Sequence, residues 1–159
     1  MVWVNAIFVF LVMSTELANT PLQAAQMSLF TSSEQRSLST ASKLPYRAKT
    51  YVKAAGRYLK AAEESAKAGE NHPMLKSLAS YSLILEKCRD ELVQLPEKKT
   101  KEYKKPEITL RKYISQLEDL EVKLSYDTQP HIQKSISISK ELRLVFLNTF
   151  FGSKSLKKP

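Results

Sequence analysis

The 159-residue chain has 3 glycines, 1 cysteine and 2 histidines. Few glycines leave few places for positive φ, which disfavours a sheet-and-turn fold and favours long helices. A single cysteine, Cys88, excludes an internal disulfide framework. His72 and His131 each stand beside a proline, and neither sits in a His-x-x-x-His, Cys-x-x-Cys or Glu-x-x-His spacing. No Gly-x-Ser-x-Gly elbow and no glycine-rich phosphate loop is present. The adjacent acidic pairs Glu63–Glu64, Asp90–Glu91 and Glu118–Asp119 diverge by about 100° on a helix, so they do not converge on one substrate atom. Metal, cofactor and acid–base sites are therefore not expected, and neither is an enzyme.

Long apolar runs are also scarce. "VWVNAIFVFLVM", residues 2–13, has only Asn5 polar, and its 12 residues fall short of the ~20 needed to span a bilayer. Ala24 and Ala25 follow as small residues suited to a cleavage point. Residues 1–25 thus read as a secretory signal, although no Lys or Arg precedes the run and the first basic residue is Arg36. An uncleaved anchor, or a start at Met27 with a cytoplasmic product, are the alternatives. The mature chain is expected to lack a transmembrane span and to be periplasmic or extracellular.

What is abundant is basic charge, 25 Lys and Arg against 16 Asp and Glu, a formal net of +9. Residues 26–43 are rich in Ser and Thr and read as a flexible linker. Four amphipathic segments follow, each opened by a proline in its first turn: Pro45, Pro73, Pro106 and Pro130. The first, about 44–68, lines up Leu44, Ala48, Tyr51, Val52, Ala55, Tyr58, Leu59 and Ala62 at spacings of three and four, with Gly69 as its stop. The second, about 73–95, has the most regular seam: Met74, Leu78, Tyr81, Leu85, Cys88, Leu92 and Leu95. Cys88 is therefore expected in the core, as a small inert hydrophobe. The third, about 106–126, carries Leu110, Tyr113, Ile114, Leu117, Leu120 and Leu124. The fourth, about 130–151, carries Ile132, Ile136, Leu142, Val145, Phe146, Thr149 and Phe150, with a short strand at "SISIS" as an alternative.

The expected fold is all-α: an up-down four-helix bundle over 44–152, a disordered N-terminal segment and a basic tail at 153–159. Short connections imply antiparallel neighbours, while the 96–105 link is long enough to leave helix order open.

Lys49, Lys53, Arg57, Lys60 and Lys67 fall within about 80° of one another around the first helix, opposite its apolar face. They are the candidate contacts for an anionic surface, phospholipid or envelope polymer. Tyr46 lies beside the stripe, whereas Tyr51 and Tyr58 point to the core. The stretch "LPEKKTKEYKKPE" is as lysine-rich, with five lysines against Glu97 and Glu102 over 96–105, but no helical face orders them. It reads as a solvated connector, so an anionic partner is expected at the first helix instead. Nucleic acid is disfavoured: there is no arginine-rich arm, helix-turn-helix signature or RNA-binding aromatic motif.

Two stretches, "YVKAAGRYLKAAEESAKAGE" and "KKPEITLRKYISQLEDLEVKL" followed by "QPHIQKSISISKELRLVFLNTFFG", carry a family resemblance. Through Lys104-Lys105-Pro106-Glu107, the Arg111–Leu124 run, Pro130 and Phe150-Phe151-Gly152, residues 44–152 resemble small uncharacterised exported helical proteins of acidobacteria-type genomes. That resemblance implies an exported helical protein and assigns no activity and no site. A non-catalytic structural or protein-interaction module of the cell envelope is the expected function, with the anionic-surface binder as its alternative. If export is correct, the secreted form begins near Gln26, and mass spectrometry of a soluble cytosolic form retaining residues 1–25 would overturn it.

Overall fold

A computed structural model describes residues 29–94 and 101–151. The leader, the seam residue Leu95, the start of the connector, Gly152 and the tail lie outside the described residues. Those described are 91% helical and contain no strand. Five helices form: α1 (Ser32–Thr40), α2 (Leu44–Lys67), α3 (Asn71–Gln94), α4 (Lys104–Lys123) and α5 (Gln129–Phe151). Single turns of tighter helix, Lys101–Tyr103 and Tyr126–Thr128, lead into α4 and α5. No described helix is long and apolar enough to cross a membrane.

The first of these helices corrects the linker reading. "TSSE" is a capping box: the Thr31 hydroxyl accepts from the Glu34 N–H at 3.2 Å, and the Thr31 N–H donates to Glu34 Oε2 at 2.8 Å. Ser and Thr raised the expectation of a linker, but at this spacing they start a helix. Nine residues are marginal as an isolated helix. Packing supplies the rest, with Phe30 set edge-on to Tyr51 at 5.8 Å and Leu38 against the core.

The four longer helices fall close to the expected bounds. Gly69, at φ +73°, ends α2 in a left-handed turn. Its N–H donates to the Ala66 carbonyl at 3.1 Å and the Glu70 N–H to that of Ser65 at 2.9 Å, which satisfies two carbonyls the helix end would otherwise orphan. Helices α3 and α4 begin two residues before the expected positions, so Pro73 and Pro106 sit in the first turn, where no intrahelical N–H partner is lost. "SISIS" is helical throughout.

The seams pack as their periodicity requires. Met74, Leu78, Tyr81, Leu85, Cys88 and Leu92 are all buried, joined by Leu59 of α2, Leu110 and Leu117 of α4, and Ile132, Leu142 and Phe146 of α5. Burial pushes the Cys88 thiol pKa far up, with a smaller contribution from the Glu91 charge, so the cysteine stays protonated and inert. The connector reading needs correction at its end: Tyr103 is fully buried and stacks on Phe146 with centroids 5.5 Å apart.

Helix directions follow from the side-chain pairs. Arg47 at the start of α2 pairs with Glu91 near the end of α3, so these run antiparallel. So do α4 and α5, where Glu107 meets Arg143 at 2.8 Å and Glu121 meets Gln133 at 3.0 Å. Between the two hairpins the neighbours are parallel, not antiparallel. Ser82 meets Ser135 and Arg89 meets Glu141 across α3 and α5. Gln116 reaches Glu63 across α4 and α2 at 3.0 Å. Contacts thus run α2 to α3, α3 to α5, α5 to α4 and α4 to α2, the last being the loosest.

The two parallel seams are built differently. Along α3–α5, Tyr81 Oη lies 2.7 Å from Ser139 Oγ and Ser82 Oγ lies 2.9 Å from Ser135 Oγ, all buried. Ser139 also donates to the Ser135 carbonyl at 2.7 Å and Ser135 to that of His131 at 3.1 Å. Small side chains let the helices approach, and each hydroxyl is satisfied, which avoids the ~1–3 kcal/mol cost of an orphaned buried polar group. Along α2–α4 the close contact is Tyr113 on Gly56. A Cβ at position 56 would lie 2.0 Å from the Tyr113 hydroxyl oxygen. That approach explains a glycine in mid-helix, which is worth about 1 kcal/mol less than alanine there. Gly56→Ala should therefore destabilise by about 1–3 kcal/mol through overpacking. In a Tyr113→Ala background the same change should stabilise by up to about 1 kcal/mol. Urea unfolding of the four variants checks the sign reversal.

Candidate functional site

The five basic residues expected to form one stripe occupy four environments. Lys49 and Lys53 are exposed beside α4 and line a groove of about 420 Å³ with Val52, Lys105, Pro106, Ile108, Thr109 and Tyr113. Arg57 is engaged within the fold: it donates to the Leu29 carbonyl and to Glu34 Oε2, each at 3.0 Å, and lies 4.4 Å over the Tyr58 ring. Lys60 pairs with Glu64 at 3.6 Å along its own helix. Lys67 faces a second groove, also about 420 Å³, shared with Glu63, Gln116, Asp119 and Lys123.

Both grooves follow the loose α2–α4 seam, on either side of the Gly56–Tyr113 contact. Their electrostatics differ. The second has carboxylates among its cations. The first has Lys49, Lys53 and Lys105 and no acidic lining residue among the described residues. None of these three lysines forms an ion pair with a described carboxylate. The floor is apolar: Val52 and Pro106 are buried and the Tyr113 ring half-buried, its hydroxyl pKa raised by that burial. Ile108 is 43% exposed at the rim and also lines a smaller groove of about 230 Å³ on the α5 side, with Arg111, Leu147 and Phe151.

Sequence reasoning missed the α4 half of this site. It treated helices one at a time and assigned Lys105 to a solvated connector. A signal was available: Lys105, Ile108 and Lys112 repeat at i, i+3 and i+7, which puts them on one helix face, and all three are exposed. Tyr46, 53% exposed, repeats the same spacing with Lys49 and Lys53 on α2. His72 and His131 stand exposed, and among the described residues no group of three or more His, Cys, Asp or Glu is placed to hold a metal ion.

No family model, no curated protein and no solved structure matches the chain. The resemblance read from residues 44–152 rests on those residues alone.

The latch of α1 onto α2 centres on Glu34, held by Arg57 and the Thr31 N–H. Partial burial raises the pKa of Glu34. The hydrogen bonds from Arg57 and the Thr31 N–H, together with the Arg57 charge, outweigh it and leave the value below its ordinary 4.5. A carboxyl depressed on folding stabilises fully above that ordinary value, and its contribution disappears as pH falls through the lower folded value. The protection factors of amides 35–40, exchange rates corrected for the intrinsic pH dependence, should therefore fall as pH drops below about 4.5. Glu34→Gln should show lowered protection at neutral pH without that further acid loss.

Proposed function

We propose that the chain is a non-catalytic module of the cell envelope that docks onto anionic phospholipid surfaces, built on an up-down bundle of its four long helices. The envelope placement draws on the leader-like residues 1–25 and on the resemblance read over residues 44–152. The single observation that carries the docking surface is the pairing of two exposed rows across the α2–α4 seam. Tyr46, Lys49 and Lys53 form one row, and Lys105, Ile108 and Lys112 the other.

Three of the four ammonium groups on that face, those of Lys49, Lys53 and Lys105, line a groove with no carboxylate among its described lining residues. An aromatic and a branched aliphatic side chain stand beside them. Lysines attract anionic headgroups, at about 1 kcal/mol each near a charged membrane surface. Apolar tips such as Ile108 and Tyr46 add affinity by entering the headgroup boundary. Long-range attraction alone does not favour this face over the other basic residues; the local absence of carboxylates does.

The test is co-sedimentation with phosphatidylglycerol vesicles, with phosphatidylcholine vesicles as control. Binding is expected only to the anionic vesicles and should weaken steeply between low and high salt. Replacing Lys49, Lys53 and Lys105 with Gln should weaken it by roughly a hundredfold, the sum of about 1 kcal/mol per lysine. Lys60→Gln with Lys67→Gln should change it little. Equal binding to both vesicle types, or none to either, would overturn the reading and return weight to a protein-interaction role.

A further inference from the structure

We propose that the groove between α2 and α4 takes one hydrocarbon chain of a monomeric, single-chain anionic amphiphile of the fatty-carboxylate class, with its headgroup held by Lys49, Lys53 and Lys105. The proposal rests on the lipid-surface reading and deepens it, because it asks for a built site where surface attraction asks only for a charged face.

Three observations on the groove carry it. Its volume, about 420 Å³, lies within the range of small-molecule sites, roughly 300–1,000 Å³. Its lining separates by chemistry: Val52, Pro106, Ile108 and the ring of Tyr113 supply apolar surface, and the three lysines supply the only charges among the described lining residues. The Thr109 hydroxyl donates to the Lys105 carbonyl at 3.1 Å and so makes no demand for a polar ligand atom on the floor. Val52, Pro106 and the Tyr113 ring give a hydrocarbon chain an apolar bed. A carboxylate at the rim meets three donors and, among the described lining residues, no like charge.

The other grooves fail one of these conditions. The second α2–α4 groove carries Glu63 and Asp119, which would repel the headgroup. The groove beside α5 is about half the size and carries Glu107, already paired with Arg143. Tyr113, pressed onto Gly56, is a wall of the proposed site, so the mid-helix glycine also sets its shape.

Laurate, kept well below its micelle concentration, is the probe. Calorimetric titration should give saturable binding of one laurate per chain, and methyl resonances of Val52 and Ile108 should shift together on titration. Inorganic phosphate, a headgroup-sized anion without a chain, should give no saturable binding. Thr109→Phe fills the groove from α4 and leaves all three lysines in place. It should weaken laurate at least tenfold while anionic-vesicle binding persists; a thermal melt reports whether the variant folds. No laurate binding by the native chain, phosphate binding as tight as laurate, or methyl shifts elsewhere in the molecule would each overturn the groove assignment. If native vesicle binding persists in that event, the docking face stands without the groove; if it is also absent, both fail.

Discussion

Close approach of the two helical hairpins along parallel seams is the constraint from which the rest of this molecule follows. Parallel neighbours cannot be joined by a short turn, so side chains alone must hold α3 to α5 and α2 to α4. Across α3–α5 this is done with serines. Ser82, Ser135 and Ser139 are small enough for close contact, and with Tyr81 they exchange hydrogen bonds that keep every hydroxyl satisfied. Across α2–α4 the contact narrows to a tyrosine laid on a glycine. The second seam opens on both sides of Tyr113, and two grooves lie there.

The same arrangement divides the positive charge. Of the basic residues on α2, Arg47 and Arg57 are used internally, the first by Glu91 and the Leu38 carbonyl, the second by Glu34 and the Leu29 carbonyl. A guanidinium can satisfy two acceptors at once in a fixed plane, which suits it to fastening the α1 strap. The lysines, with a single flexible ammonium, remain at the surface. Those beside α4 gain a third, Lys105, delivered by a helix start that the connector had concealed. The candidate site is thus a product of two helices, neither of which carries it alone.

Much of the helical framework was legible from residue spacing. The seam from Met74 to Leu92 is buried as read, Cys88 included, because a run of alternating threes and fours leaves one face no alternative to burial. Gly69 and the four prolines marked helix ends because each acts through its own backbone. The misreadings share a cause. Ser and Thr were taken as marks of a linker at 31–40 and, within "SISIS", of a possible strand at 135–139. Their role depends on a partner, whether an N–H three residues on or a hydroxyl on another helix. Tyr103 was placed in a solvated stretch because its lysine neighbours dominate the local composition, yet its ring is buried against Phe146, more than forty residues away in sequence.

The sequence by itself determined that the chain is helical, where its long helices lie, which face of each is apolar, and that the cysteine is a core residue. These properties are periodic or local, and a backbone with 3.6 residues per turn converts them directly into structure. Only the tertiary structure decided that the hairpins meet in parallel, that Arg57 is engaged while Lys49 and Lys53 are not, and that Lys105 joins them over an apolar floor. Those outcomes depend on which helices become neighbours, a choice made by serine, glycine and tyrosine side chains far apart in the chain, and no single helix encodes it.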